Sequence, residues 1–264
     1  MKRFLIGAVR RVFRALGFEI VRRDGTFRST LAEMLEHVAG LGFKPETVID
    51  VGVAHGTFAL YETFPQATHL LVEPVQEWEG DLKRISQKYK AQYVIAAASD
   101  HSGEITIYAH PELIGSSIFR DAEGSQFDGI PRQVPAVTLD DLCRERRLKG
   151  PYLLKVDVQG AELKVLDGAK EVLEDTELVI LEVSLFQFVV GGPQFYDVVS
   201  YMKQCGFVVY DVFGALKRPL DGALAQLDVA FVKETGLFRK QHIYATREQR
   251  EQLVRQLSAR NPKR

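Results

Sequence analysis

The sequence predicts an α/β protein with a doubly wound, mostly parallel sheet, an antiparallel terminal hairpin and an N-terminal helical extension. Three observations predict it. From Thr47 onward, short apolar runs alternate with segments of helical period. The alternation gives way near the end to two consecutive strand-like runs, "FVVYDVF" and "LDVAFVKE". Residues 2–16 separate into an apolar side and a basic side at helical spacing. Alternating strands and helices imply parallel strands covered on both faces, while consecutive strands imply an antiparallel pair.

The elements follow in order. Phe4, Leu5, Ala8, Val9, Val12, Phe13 and Leu16 share one side of the first helix, and Arg3, Arg10, Arg11 and Arg14 share the other. "FEIVRR" reads as a short extended piece. "STLAEMLEHVAGLGF" reads as a helix capped by Ser29 or Thr30 and ended by Gly40 or Gly42. Strand signals fall at 47–51, 68–73, 93–99, 152–158 and 177–185, with helices from about Gly56, over about 77–89, over 161–173 and over about 194–205. "EITIYAH" adds an extra strand that breaks the alternation, and "TLDDLCRERR" makes a short helix opened by Thr138. Residues 111–137 read as a loop-rich insertion too long for a plain connection, either an acceptor-binding lid or a solvated excursion. A polar helix closes the chain. The organisation is an N-terminal part, 1–44, a central domain, 45–236, and a C-terminal helix, 237–264.

The 264 residues are 46% hydrophobic and 26% charged, which gives ample length for one core. A net charge of −1 argues against a surface built to coat nucleic acid. Residues 1–28 nonetheless hold eight basic residues against two acidic ones. Their amphipathic helix can lie on an anionic membrane, or pack on the body of the protein or on a second subunit of a homo-oligomer. No apolar run reaches the length of a membrane span, and the basic N-terminus lacks the uninterrupted apolar region of a signal peptide. The expected location is therefore cytoplasmic, with peripheral contact at the inner face of the membrane as one reading of residues 2–16. Cys143 and Cys205 have no metal-ligand spacing and fit buried thiols in a reducing compartment.

In a parallel sheet the ligand crevice lies at the carboxyl ends of the strands, where strand order reverses. Asp50, Glu73, Ser99, Asp157 and Glu182 all fall at or near such ends. "TVIDVGVAHGTFALY" places Asp50 at the end of an apolar strand and opens the next turn with Gly52 and Gly56. The spacing D-V-G-x-x-x-G is neither a dinucleotide fingerprint nor a phosphate loop. An acid at the end of the second strand, Glu73, can bind both ribose hydroxyls. A ribose clamp without a phosphate cradle suits a nucleoside lacking pyrophosphate, of which S-adenosylmethionine is the common example. Asp50 is then expected near the amino-acid end of that cofactor, and Ser99 and Asp100 near adenine. The competing reading makes the glycines turn formers and Glu73 a solvated strand end.

"TVIDVGVAHG", "LLVEP", "AAASDHSGEITIY", "LLKVDVQGAELKVLDGA" and "LVILEVSL" resemble, in order, the motifs of FkbM-type S-adenosylmethionine-dependent methyltransferases over about Thr47 to Glu234. The resemblance implies a Rossmann-like, seven-stranded class I methyltransferase fold. It implies O-methylation of a hydroxyl on a sugar, glycan or natural-product-like acceptor. It places Asp50, Gly52, Gly56, Glu73, Ser99 and Asp100 on the cofactor, and Asp157, Gly160 and Glu162 in the signature block. His55 stands where the family often has Asn, and Gln159 stands where it often has Glu.

Methyl transfer to a hydroxyl needs the proton taken from the attacking oxygen. Asp157 is the first choice for base or acceptor anchor, with Lys155 on the same strand face and Glu182 as the second carboxylate. Lys155 and Asp157 could equally form a structural ion pair. Glu162 lies where a carboxylate favours a helix dipole, which makes it structural. Two carboxylates can hold a divalent ion, but there is no His/Cys cluster and no metal ligand is assigned. "FQFVVGGPQFY", 186–196, is a second candidate acceptor wall. Two alternatives stay open: a non-catalytic S-adenosylmethionine-binding scaffold, and a methyltransferase acting on nitrogen. The carboxylates at the rim disfavour the first. The absence of an Asn/Asp-Pro-Pro-aromatic run after the fourth strand disfavours the second.

Overall fold

The computed structural model describes residues 27–113 and 115–260, together with Phe13, Ala15 and Leu16. The amphipathic helix read over 2–16, apart from those three residues, and the extended piece "FEIVRR" therefore lie outside the described residues.

Helix α1 (Leu31–Gly40) starts where Thr30 Oγ1 accepts the Glu33 amide, the capping expected of the Ser-Thr pair. The main sheet then takes β1 (Thr47–Val51), β2 (Thr68–Glu73), β3 (Ala91–Ile95), β7 (Tyr152–Val156), β8 (Thr176–Ser184), β9 (Phe207–Lys217) and β10 (Leu224–Lys233), in the spatial order β3-β2-β1-β7-β8-β10-β9. Among these strands β10 alone runs opposite to the other six. The expected terminal hairpin is thus β9–β10, and β10 joins it to β8.

Alternation along the strands feeds two cores. Ile49, Val51, Leu154, Val156, Val179 and Leu181 face α4 (Leu139–Glu145), α5 (Glu162–Asp167), α6 (Lys170–Glu174) and α7 (Phe195–Gln204). Val48, Leu71, Leu153, Leu178 and Ile180 face α1, α2 (Phe58–Thr63) and α3 (Glu79–Lys88). With both faces covered, the central strands are apolar at every position, and the polar exceptions stand out. Asp50 and Lys155 are paired in register on adjacent strands, and Glu182 and Asp228 are paired two strands further on.

Several expectations need correction. The strand read over 93–99 is two strands. β3 ends at Ile95, and β4 (Ala97–Ala98) leaves the main sheet to pair with β6 (Ile130–Val137), which also pairs with β5 (Gly103–Ala109). The insertion 111–137 is accordingly not loop throughout: its last eight residues are β6. Pro131 and Pro135 made them look irregular. Val137 turns its carbonyl away from β5 to accept the Ser99 amide, so odd-numbered residues of β6 have their polar groups on that side. Both prolines are odd-numbered and remove no bond from the β5–β6 ladder. The helix read over 161–173 breaks at Gly168, where a Cβ would lie 2.0 Å from the Ser99 carbonyl oxygen. Cys143 is buried in α4, but Cys205, at the end of α7, is exposed. The closing helix, α8, spans Arg247–Arg260. Among the described residues no helix is long and apolar enough to cross a membrane.

Candidate active site

Strand order reverses between β1 and β7, and a cavity of about 230 Å³ opens at their carboxyl ends. The second sheet, Leu113 and residues 115–118 cover it.

Gly52 shapes the floor. Its φ is +77°, and an added Cβ would sit 1.8 Å from the Asp157 carbonyl oxygen. The two post-strand turns are also tied by the Asp157 amide, which donates to the Val51 carbonyl at 3.0 Å. Glu73, 4% exposed, lines the cavity. Its Oε2 accepts the Ala54 amide and its Oε1 the Val75 amide, both at 2.9 Å. Burial pushes its carboxyl up, and those amides oppose the shift. Each oxygen keeps a lone pair for a ligand. Glu73→Ala is expected to weaken binding of the demethylated cofactor, S-adenosylhomocysteine, by about 1.5–3 kcal/mol, the scale of a charge-assisted hydrogen bond. Unchanged affinity by calorimetry would remove Glu73 from the site.

The other expected cofactor contacts sit outside the cavity lining. Asp50 is fully buried beneath it, accepting from Tyr61 Oη at 2.5 Å and Thr57 Oγ1 at 3.2 Å. It anchors the start of α2. Gly56 has φ +116°, and a Cβ there would meet Ile85 Cδ1 at 2.7 Å, so it serves the turn and the packing of α3. Ser99 bonds to β6. Asp100 accepts from His101 Nδ1 at 2.6 Å and Lys164 Nζ at 3.2 Å, contacts that hold its carboxyl down at about 2. The residues just before them, Ala97 and Ala98, line the cavity instead, with Val75, Ile107 and Ile118. Small residues in "AAASD" were the available signal for this apolar slot. Ile107 and Ile118 come from the extra strand and the insertion, and no local pattern marked them.

The polar end is built from β7 and β8. Asp157 Oδ2 accepts from Lys155 Nζ at 3.1 Å, and Oδ1 accepts from Gln159 Nε2 at 3.0 Å. Burial works against the Lys155 ammonium, yet Asp157 and Asp50 outweigh it and hold its pKa above the ordinary lysine value. Glu182 Oε2 accepts from Gln159 Nε2 at 2.7 Å and Gln226 Nε2 at 2.9 Å. Burial first, and then the neighbouring Asp157 charge, raise the Glu182 carboxyl well above the carboxylate range. Asp157, Gln159 and Glu182 line the cavity; Lys155 stands behind them. Gln159 and Gln226 were not among the residues expected to form the site.

Glu162 is buried and accepts the Val158 and Gly160 amides at 3.2 and 3.1 Å, which fits its structural reading. Burial raises its carboxyl to about 7. The folded state therefore holds a proton that the unfolded chain releases above its ordinary pKa, and stability falls as pH rises from about 4.5 to about 7. Glu162→Gln is expected to flatten that slope in urea titrations across the window. An unchanged slope would mean that Glu162 titrates normally.

Of the covering segment, Leu113 and residues 115–118 line the cavity, and Ser117 Oγ donates to the Gln159 carbonyl at 2.7 Å. A smaller cavity, about 30 Å³, lies under Phe186, Phe188, Val189 and Pro193 and reaches Gln159 and Gln226.

A family described as the methyltransferase FkbM domain matches residues 50–209, more than half of the chain. The chain belongs to the FkbM methyltransferase family. It is 26% identical over 195 residues to Methyltransferase 1 of Beauveria bassiana, covering 65% of this chain and 74% of that protein. It is 31% identical over 166 residues to the 2-O-methyltransferase NoeI of Sinorhizobium fredii, covering 53% of this chain and 65% of that protein, just under two thirds of its length. Among solved structures, a putative RNA methyltransferase of Pyrococcus horikoshii aligns at 16% identity and TM-score 0.42, covering 79% of this chain and 87% of that one. Magnesium protoporphyrin IX methyltransferase of Synechocystis aligns at 12% identity and TM-score 0.42, covering 86% and 96%.

This FkbM methyltransferase is S-adenosylmethionine-dependent, and its cavity fits that cofactor. Glu73 offers lone pairs for ribose hydroxyls, the Ala97–Ala98 slot is apolar as a base requires, and Gly52 lets the turns after β1 and β7 close together to form the floor.

Proposed function

We propose that this methyltransferase methylates a hydroxyl oxygen of a glycan or similarly hydroxylated natural-product acceptor. The observation that carries the proposal is the state of the two carboxylates at the polar end. Each Asp157 oxygen accepts one hydrogen bond, from Lys155 or Gln159, and keeps a lone pair. Among the described residues no donor reaches Glu182 Oε1, on a carboxyl whose proton affinity is raised. An alcohol is a poor nucleophile until a base receives its proton, whereas a neutral amine attacks without one. A carboxylate paired with a lysine, beside a second carboxylate with an unbonded oxygen, serves the alcohol.

In this reading Gly52, Glu73 and the Ala97–Ala98 slot hold the nucleoside. When bound, S-adenosylmethionine supplies an activated methyl group on a sulfonium, open to in-line attack. Asp157, paired with Lys155, orients the acceptor hydroxyl, and Glu182 Oε1 receives its proton. Leu113 and residues 115–118 exclude water from above. The relationship to a 2-O-methyltransferase supports oxygen as the acceptor atom.

The test supplies methyl-labelled cofactor with a panel of neutral oligosaccharides, polyols, amines and carboxylic acids, and locates the label by mass spectrometry. A methyl ether on a hydroxylated acceptor is expected. Label on nitrogen, or as an ester, would overturn the proposal.

A further inference from the structure

Gln159 lines both cavities and stands where they meet. Its backbone is left-handed, with φ +53°, a conformation that costs a non-glycine residue energy unless its surroundings enforce it. They do so from both sides. Buried Ser117 donates to the Gln159 carbonyl, and the next residue, Gly160, has no room for a side chain because a Cβ would meet Val189 Cγ2 at 2.7 Å. Held this way, the side chain lies between the two carboxylates. A primary amide nitrogen carries two hydrogens. One is spent on Asp157 Oδ1 at 3.0 Å and the other on Glu182 Oε2 at 2.7 Å.

We infer that Gln159 is a positioning residue whose single amide nitrogen ties Asp157 to Glu182 and sets the proton affinity of Glu182. This rests on the reading of Glu182 as proton acceptor. The reasoning is electrostatic. The charged groups around Glu182 are Asp157 just after β7, Glu162 from α5 and Asp228 from β10, with Lys155 of β7 reaching Glu182 through its pair with Asp157. Three of these four are acids, and as like charges they drive Glu182 toward its protonated form, which cannot serve as a base. Asp228 itself is pushed up to about 6, by burial first and the Asp157 charge besides, against the pull of Lys155. Donors to the ionised form pull the other way. Gln226 supplies one, and Gln159 supplies one while also reducing the repulsion from Asp157 by bonding to it. A glutamate at 159 would donate nothing and add a fourth acid.

The test is a carbon-13 carboxyl titration of the full chain by NMR, with the Glu182 signal assigned by its absence in Glu182→Gln. Gln159→Met keeps the length and loses the amide. It should move the Glu182 midpoint up by about one pH unit, the scale of a lost charge-assisted hydrogen bond. Gln159→Glu should move it further. Gln159→Asn suits the left-handed backbone but is one methylene short, so it can reach at most one carboxylate. It should move the midpoint up by less than Met does, and it preserves the test if the Met variant does not fold. A midpoint unchanged in a folded Met or Asn variant, or no higher in Glu than in Met, would overturn the inference. The titration needs no acceptor, so its failure is distinct from the discovery of label on nitrogen.

Discussion

Gly52→Ala is expected to cost about 2–5 kcal/mol of stability and to reduce S-adenosylhomocysteine affinity at least a hundredfold. Forcing an L-residue into the left-handed region costs roughly 1–2 kcal/mol, and overpacking adds roughly 1–3 kcal/mol. Here the obstacle is backbone: the new methyl would lie 1.8 Å from the Asp157 carbonyl oxygen. No side chain can rotate out of the way. The turns after β1 and β7 must separate, which strains the Asp157–Val51 hydrogen bond and moves Asp157 relative to Glu73 across the cavity. Gly40→Ala is the control. That glycine ends α1, has nothing within 4 Å of its Cβ position and is not left-handed, so alanine there should be neutral. If Gly52→Ala melts within a degree of the parent and binds the ligand equally well, the close approach is not a constraint.

The sequence made the sheet legible because its strands are buried on both faces, which leaves apolar runs that helices interrupt. It made Gly52 and Glu73 visible for the same reason: a glycine or an acid at the end of such a run does not belong to the apolar core. Asp50 looked equally informative, but a carboxylate inside a strand can turn toward either side. Only the register with Lys155 and the bond from Tyr61 show that it points beneath the cavity. The adenine-side slot was hidden because Ile107 of β5, Leu113 and residues 115–118 reach it from distant positions through a second sheet. Gln159 was visible as a departure from a family pattern. Its bridging role needed the left-handed backbone, which nothing local in "DVQG" announces.

Glu182→Gln is expected to reduce kcat by about a hundredfold to a thousandfold, the range for loss of an acid–base group, with S-adenosylhomocysteine affinity nearly retained. The substitution keeps the volume, and a glutamine oxygen can still accept from Gln159 and Gln226, so the surroundings need not rearrange. What it removes is the capacity of the free oxygen to hold a proton. The parent enzyme should therefore show kcat rising with pH through an ionisation above the usual carboxylate range, and the variant should lose that limb. Asp157→Asn is a less clean probe. It removes the hydrogen-bonded partner of Lys155 and leaves that buried ammonium beside Asp50 and Asp228 alone, so lower turnover there would mix chemistry with instability. Assays use the acceptor identified by methyl labelling, with thermal melts run beside them. Parental turnover in Glu182→Gln, together with an inactive but folded Asp157→Asn, would transfer the proton-accepting role to Asp157. That result would make the Lys155 pair part of the base rather than its support.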